Sequence, residues 1–125
     1  MRLLIDTHIL FWALAVPERL TEAERKALEH AESTIFVSAA SLWEMRIKAA
    51  KGKLTLPDNF LDYVRSANFI ELPVTLRHAD AIRNLPPIHG DPFDRILAAQ
   101  AKVENLALMT RDRFLREYRV SLFEG

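Results

Sequence analysis

The sequence predicts an α/β fold, with a mostly parallel central sheet covered by helices on its faces. Two observations carry this expectation. Short apolar runs suited to buried strands alternate with longer segments of helical periodicity along the whole chain. The 125 residues, half of them hydrophobic, suffice for one compact core but are too few for two ordinary domains. One domain spanning residues 1–125 is therefore expected.

Arg2 to Ile5 is a short apolar run suited to a buried strand, and Thr7 to Ala15 reads as a helix stopped by Pro17. Thr21 followed by Glu24 forms a capping box for a helix to about Ala31, with Ala23, Ala27 and Leu28 on one face. Ile35 to Val37 is the second strand. Ser38 or Ser41 caps the next helix, which carries Leu42, Trp43, Ile47 and Ala50 and stops near Gly52 in a left-handed turn. Pro57 and Asp58 open a helix to about Ser66, Phe69 to Leu72 is strand-like, and Leu76 to Leu85 is helical until Pro86 and Pro87 break it. Asp91 and Pro92 supply a cap and a first-turn proline for a helix reaching about Val103. Leu106 to Met109 is a strand, followed by a short helix and the strand-like segment Val120 to Phe123. Crossovers between such parallel strands are right-handed, and sites form beyond the strands' carboxyl ends, where helices begin.

Composition narrows the chemistry. Without cysteine there are no disulfides, thiolate zinc sites or cysteine nucleophiles, which fits a reducing compartment. Asp6 and His8 interrupt the apolar opening, no small-residue cleavage site follows it, and no stretch reaches the roughly 20 apolar residues of a membrane span. A cytoplasmic protein is expected. Lysine plus arginine equal aspartate plus glutamate at 17 each, so any nucleic-acid contact must be local. The basic stretches Arg46, Lys48, Lys51, Lys53 and Arg111, Arg113, Arg116, Arg119 read first as solvated helix faces.

Four acids fall at one edge of the expected sheet. Asp6 ends the first strand, Glu44 lies in the opening turns after the second, Asp94 is in the first turn of the Asp91 helix, and Asp112 follows the strand Leu106 to Met109. Each has an ordinary explanation as a helix cap or first-turn acid. Caps could equally be Ser, Thr or Asn, so four carboxylates at one edge ask for a common cause. Two carboxylates about 5 Å apart repel by roughly 3 kcal/mol at an effective dielectric near 20, and a close cluster must take up protons or a cation. Oxygen-only ligands select a hard ion, Mg²⁺ with Mn²⁺ as substitute, over zinc. Such a site activates water and offsets the charge growing on a phosphodiester, so hydrolysis of nucleic acid fits best. A glycosidase would need a sugar groove, and a nucleotide kinase a glycine-rich phosphate loop. An aspartyl-phosphate enzyme of the haloacid-dehalogenase type needs an acid two residues after the nucleophile, where His8 stands.

The segments LLIDTHILFWAL, VSAASLWEMRIKAAKGKL, DPFDRILAAQA and LMTRDRFL together resemble the PIN-domain family, and within it the VapC-like ribonuclease toxins. The likeness spans almost the whole chain. It implies a PIN-like three-layer fold with about five parallel strands, an RNA endonuclease dependent on Mg²⁺ or Mn²⁺, neutralisation by a cognate VapB-like antitoxin, and a homodimer. By position, Asp6 matches the family's first acid, Glu44 the acid after the second strand and Asp94 the acid after DPF, all as metal ligands. Asp112 matches the more variable fourth acid, which often acts through water.

Several residues keep two readings. Asp91, one turn before Asp94, could exchange roles with it, though capping accounts for it. Thr7 and Thr110 could orient a carboxylate or water, or cap helices. Arg95 could grip a phosphate or pair with a neighbouring acid. Trp43, Phe11 and Trp12 read as core or interface rather than as base-stacking residues. His8, His30 and His78 read as surface or packing residues, and His89, near Asp91, as a possible substrate contact. The competing function is a catalytically silent PIN-like module that binds RNA or protein. A DNA-directed nuclease is a third reading, lacking the extra length such enzymes use to manage a duplex.

Overall fold

A computed structural model describes residues 1–88 and 90–125; His89 lies outside the described residues. Strand β1 (Arg2–Ile5) leads into helix α1 (Thr7–Ala15), then α2 (Glu22–Glu29), β2 (Thr34–Ser38), α3 (Ala39–Ala50), α4 (Phe60–Ser66) and β3 (Ile70–Leu72). Helices α5 (Leu76–Ala81) and α6 (Pro92–Glu104), strand β4 (Ala107–Met109) and helix α7 (Arg113–Arg116) complete the chain. The four strands form one parallel sheet in the order β3-β2-β1-β4. The resemblance implied about five strands. The fifth segment adds only one bridge, Leu108 to Leu122, held by the Leu108 amide on the Ser121 carbonyl and the Phe123 amide on the Leu108 carbonyl, too short to make a strand.

Local chemistry sets the boundaries. The Thr21–Glu24 capping box is formed in full, with the Thr21 amide 2.8 Å from Glu24 Oε1 and the Glu24 amide 3.1 Å from Thr21 Oγ1. Ser38, not Ser41, caps α3 by accepting the Ala40 amide. Gly52 follows α3 at φ +74°, a conformation that costs glycine little, and Asn105 ends α6 in the same left-handed region.

Side-chain alternation along the strands builds two apolar layers. Leu4 and Leu108 face one way, and pack with Leu97, Ala98, Ala101 and Tyr118 from α6 and the C-terminal segment. Leu3, Ile5, Ile35 and Val37 face the other, against Ile9 and Leu10 of α1, Met45 of α3 and Phe60 of α4. Helices therefore cover both faces, the three-layer arrangement expected from the sequence. Leu3, Leu4 and Ile5 have no exposed surface, which is why β1 is a continuous apolar run rather than an alternating one. Among the described residues no helix is long and apolar enough to cross a membrane.

Because β1 is the strand that both layers grip, Leu4→Ala is expected to destabilise the fold by about 2–5 kcal/mol, read as a lowered urea midpoint with the transition slope retained. An unchanged midpoint would place the core elsewhere.

Candidate metal centre

The strand order reverses between β1 and β4, and α1 and α6 lie on opposite faces of the sheet. A crevice opens beyond the carboxyl ends of strands at such a reversal. Asp6, the first residue past β1, extends the pairing through its amide to the Met109 carbonyl at 3.1 Å. Its side chain is fixed from two sides: Oδ1 caps α1 by accepting the Ile9 amide at 2.8 Å, and Oδ2 accepts the Thr110 hydroxyl. The same Thr110 oxygen accepts the Asp112 amide at 3.0 Å, so one hydroxyl ties the ends of β1 and β4 together. Asp112 in turn caps α7, with Oδ1 2.8 Å from the Phe114 amide and 3.3 Å from that of Leu115.

Glu44 reaches the site from α3. The Thr7 hydroxyl donates to its Oε1 at 2.7 Å, and the Lys48 ammonium, one turn on, lies 2.9 Å from Oε2. Asp94 stands in the first turn of α6, which Asp91 caps through the Phe93 amide at 2.7 Å. Asp6, Glu44, Asp94 and Asp112 all line one hollow of about 130 Å³, with Asp91, Thr7, His8 and Lys48 completing its wall.

Electrostatics within this hollow are unfavourable. Burial pushes the Asp6 carboxyl above its usual range, against the lowering effect of its bonds to Thr110 and Ile9. Asp94 is pushed up to about 7, first by burial and then by the charges of Asp112, Asp91, Glu44 and Asp6. No hydrogen bond offsets this at Asp94 among the described residues. Among the described residues, the acid that the other four charges act on is the one without a hydrogen bond to its side chain.

Those features suit a hard cation. The donors are carboxylate and hydroxyl oxygens, with no thiolate, and His8 is the one described imidazole on the wall. Among the described residues no three acids or histidines already close around one point as a finished cage. Their oxygens are engaged instead with Ile9, Thr110, Thr7 and Lys48, and each carboxylate oxygen keeps a further lone pair. An ion that retains several waters, as Mg²⁺ does, needs only part of such a set.

The structure sorts the remaining expectations. Thr7 and Thr110 orient carboxylates, as one of their two readings held. Asp91 lines the hollow but is committed to its cap. Arg95 neither faces the hollow nor pairs with an acid. It donates to the carbonyls of Ile82, Pro86 and Ile88 and lies over Tyr118, securing the segment before α6. Trp43 is 63% exposed and so not core. His30 is exposed, and His78 is a buried packing residue bonded to Glu104 at 2.7 Å. Lys48, which the sequence places on a solvated basic face, pairs with Glu44, and their i, i+4 spacing is a helical pairing signal. Arg111, read from the sequence as part of the second solvated basic face, instead lies 4.4 Å over the Trp12 ring and pairs with buried Glu24. Arg111 and Trp12 line a second depression of about 230 Å³ that shares Asp6, His8 and Asp112 with the hollow.

A family model for the PIN domain matches residues 3–120. The chain is 33% identical over 123 residues to Ribonuclease VapC22 of Mycobacterium tuberculosis, covering 93% of this chain and 91% of that one. Among solved structures, VapBC2 from Rickettsia felis bound to a promoter DNA fragment superposes with a TM-score of 0.72 at 16% identity, covering 99% of this chain and 98% of the other. FitAcB from Neisseria gonorrhoeae gives 0.67 at 22%, with 98% and 96% covered. At these identities the structural likeness is one of fold.

The raised Asp94 pKa fixes a pH dependence. A carboxyl that holds its proton more tightly when folded loses stability as pH rises from its ordinary value near 3.8 to its folded value near 7. In a chelating buffer, melting temperature should fall across that window, and Asp94→Asn should fall less and melt higher at pH 8. Identical pH profiles for the two proteins would contradict the crowding of charge at Asp94.

Proposed function

The chain belongs to the PIN-domain family, and from that premise we propose that it is a VapC-like toxin, an endoribonuclease hydrolysing RNA phosphodiester bonds with Mg²⁺ or Mn²⁺. The observation that carries this reading is the hollow itself, where four acids from four segments crowd without enough positive charge to balance them. The ribonuclease name of the 33% identical relative supports RNA as the substrate.

Asp6, Glu44 and Asp94 would hold the ion. Asp112, with one oxygen already accepting two helix amides, is read as acting through water. A bound divalent cation supplies charge neutralisation at the attacked phosphodiester and lowers the proton affinity of water. The chain's own part is to keep the carboxylates in place before substrate arrives. Thr110 and the α1 amides fix Asp6, Thr7 fixes Glu44, and the rigid start of α6 presents Asp94. Such positioning by hydrogen-bonded neighbours is worth about 10–100-fold in metal affinity or activity at comparable sites. A silent module with the same fold would need its acids only as caps. Asp6, Asp91 and Asp112 do cap helices, but Glu44 and Asp94 do not.

A VapB-like antitoxin is the proposed protein partner, as the solved toxin-antitoxin complexes of the same fold suggest. An apolar groove of about 620 Å³ supports it, lined by Ala39, Ala40, Trp43, Val74, Pro92, Phe93 and Ile96. The groove and the acidic hollow are both built on α3 and α6, from which Trp43 and Phe93 line the one and Glu44 and Asp94 the other. Trp43 and Phe93 meet edge to face at 5.0 Å. A homodimer and a cytoplasmic location are proposed on the resemblance.

RNA incubated with the purified chain should be cut in Mg²⁺ or Mn²⁺ and left intact in a chelator, with Asp6→Asn and Asp94→Asn each slower by about a hundredfold or more. Mn²⁺ at 100 times its dissociation constant should also stabilise the wild type by about 2.7 kcal/mol. Cleavage that persists in chelator and in both variants would remove metal-dependent hydrolysis from the account. Trp43→Glu should abolish capture by the antitoxin while leaving RNA cleavage intact; unchanged capture would move the partner surface elsewhere.

A further inference from the structure

We infer that Lys48 binds the substrate's phosphodiester, its ammonium holding a phosphate oxygen at a wall that carboxylates alone would make repellent. The inference rests on the nuclease reading of the hollow and adds a residue to it. Lys48 stands one helical turn beyond Glu44, with Nζ 2.9 Å from Glu44 Oε2. Its side chain is 36% exposed against 10% for that of Glu44, so the ammonium sits at the mouth and the carboxylate deeper in. Among the described residues it is the only lysine or arginine lining the hollow.

The neighbouring cations are committed elsewhere. Arg95 spends its guanidinium on three backbone carbonyls. Arg111 lines the adjoining depression and donates to both Glu24 oxygens and the Arg19 carbonyl. Lys48 has three ammonium hydrogens and, among the described residues, one acceptor, which leaves donors for an anion. With a net charge of zero over the chain, no broad basic field draws RNA in, and a local cation at the site carries more of that task.

A second account makes Lys48 only the partner of Glu44 in a helix-surface ion pair. The two differ in the sign of one effect. Removing a cation from an acidic wall strengthens binding of another cation, because a repulsion is lost. It weakens binding of RNA only if the ammonium touches the phosphate.

The test uses the full chain and the variants Lys48→Met and Lys48→Arg, each first shown to melt as the wild type does. Mn²⁺ binding is followed by the loss of the free-ion paramagnetic resonance signal. RNA binding is followed by anisotropy of a mixed pool of labelled oligoribonucleotides in Ca²⁺, with strand integrity checked on a gel. Lys48→Met is expected to bind Mn²⁺ about threefold more tightly and RNA about tenfold more weakly, with KM rising more than kcat falls in Mg²⁺. Lys48→Arg is expected to keep RNA affinity within about twofold. RNA affinity unchanged in Lys48→Met, or RNA and Mn²⁺ affinities falling together, would overturn the inference. A wild-type chain that takes up no Mn²⁺ would overturn the nuclease reading itself, and that arm separates the two failures.

Discussion

Mutual repulsion among carboxylates at the carboxyl edge of the sheet is the constraint around which this chain is arranged. Folding brings Asp6, Glu44, Asp94 and Asp112 into one hollow because β1 and β4 must pair for the core to close, and because α3 and α6 pack on opposite faces of the strands between them. The cost is met locally. Asp6, Asp91 and Asp112 are set against helix N-termini, whose amides they accept, and Thr7, Thr110 and Lys48 satisfy further oxygens. Asp94 has no such help among the described residues, and the charges around it converge there. Such incomplete neutralisation among the described residues is what supports the proposed cation.

The fold's alternation was legible because each signal was local. The Thr21–Glu24 box, the Asp91–Pro92 start and the unbroken apolar run of β1 each depend on a few neighbouring residues, and each forms as the sequence indicated. The strand count was less legible. Val120 to Phe123 has strand-like composition, but whether it pairs over one residue or four depends on β4, which is only three residues long. The positions of Asp6, Asp94 and Asp112 could be read for the same reason as the strands, since each stands just past a strand or at a helix start, whereas Glu44 lies in the second turn of α3.

What the sequence concealed is long-range. Arg95 adjoins Asp94 in sequence yet turns back to carbonyls seven to thirteen residues upstream, so chain proximity misleads there. Arg111 and Glu24 lie 87 residues apart and meet only because α2 packs beside the segment after β4. Trp43 shares a helix with buried Met45, but lies on an exposed side of α3, where it meets Phe93 of α6 edge to face. These placements join two surfaces that one sequence would leave separate: the acidic hollow, and the apolar groove beside it along α3 and α6.

The central claim, that the crowded acids await a divalent cation, is tested most directly by the protons released when one binds. Mn²⁺ titrated calorimetrically in buffers of different ionisation enthalpy reports that number at each pH. Protons should leave at pH 6, where Asp94, pushed up to about 7, still holds one, and fewer should leave at pH 9. Binding with no proton release at pH 6, or no binding at all, would contradict the account.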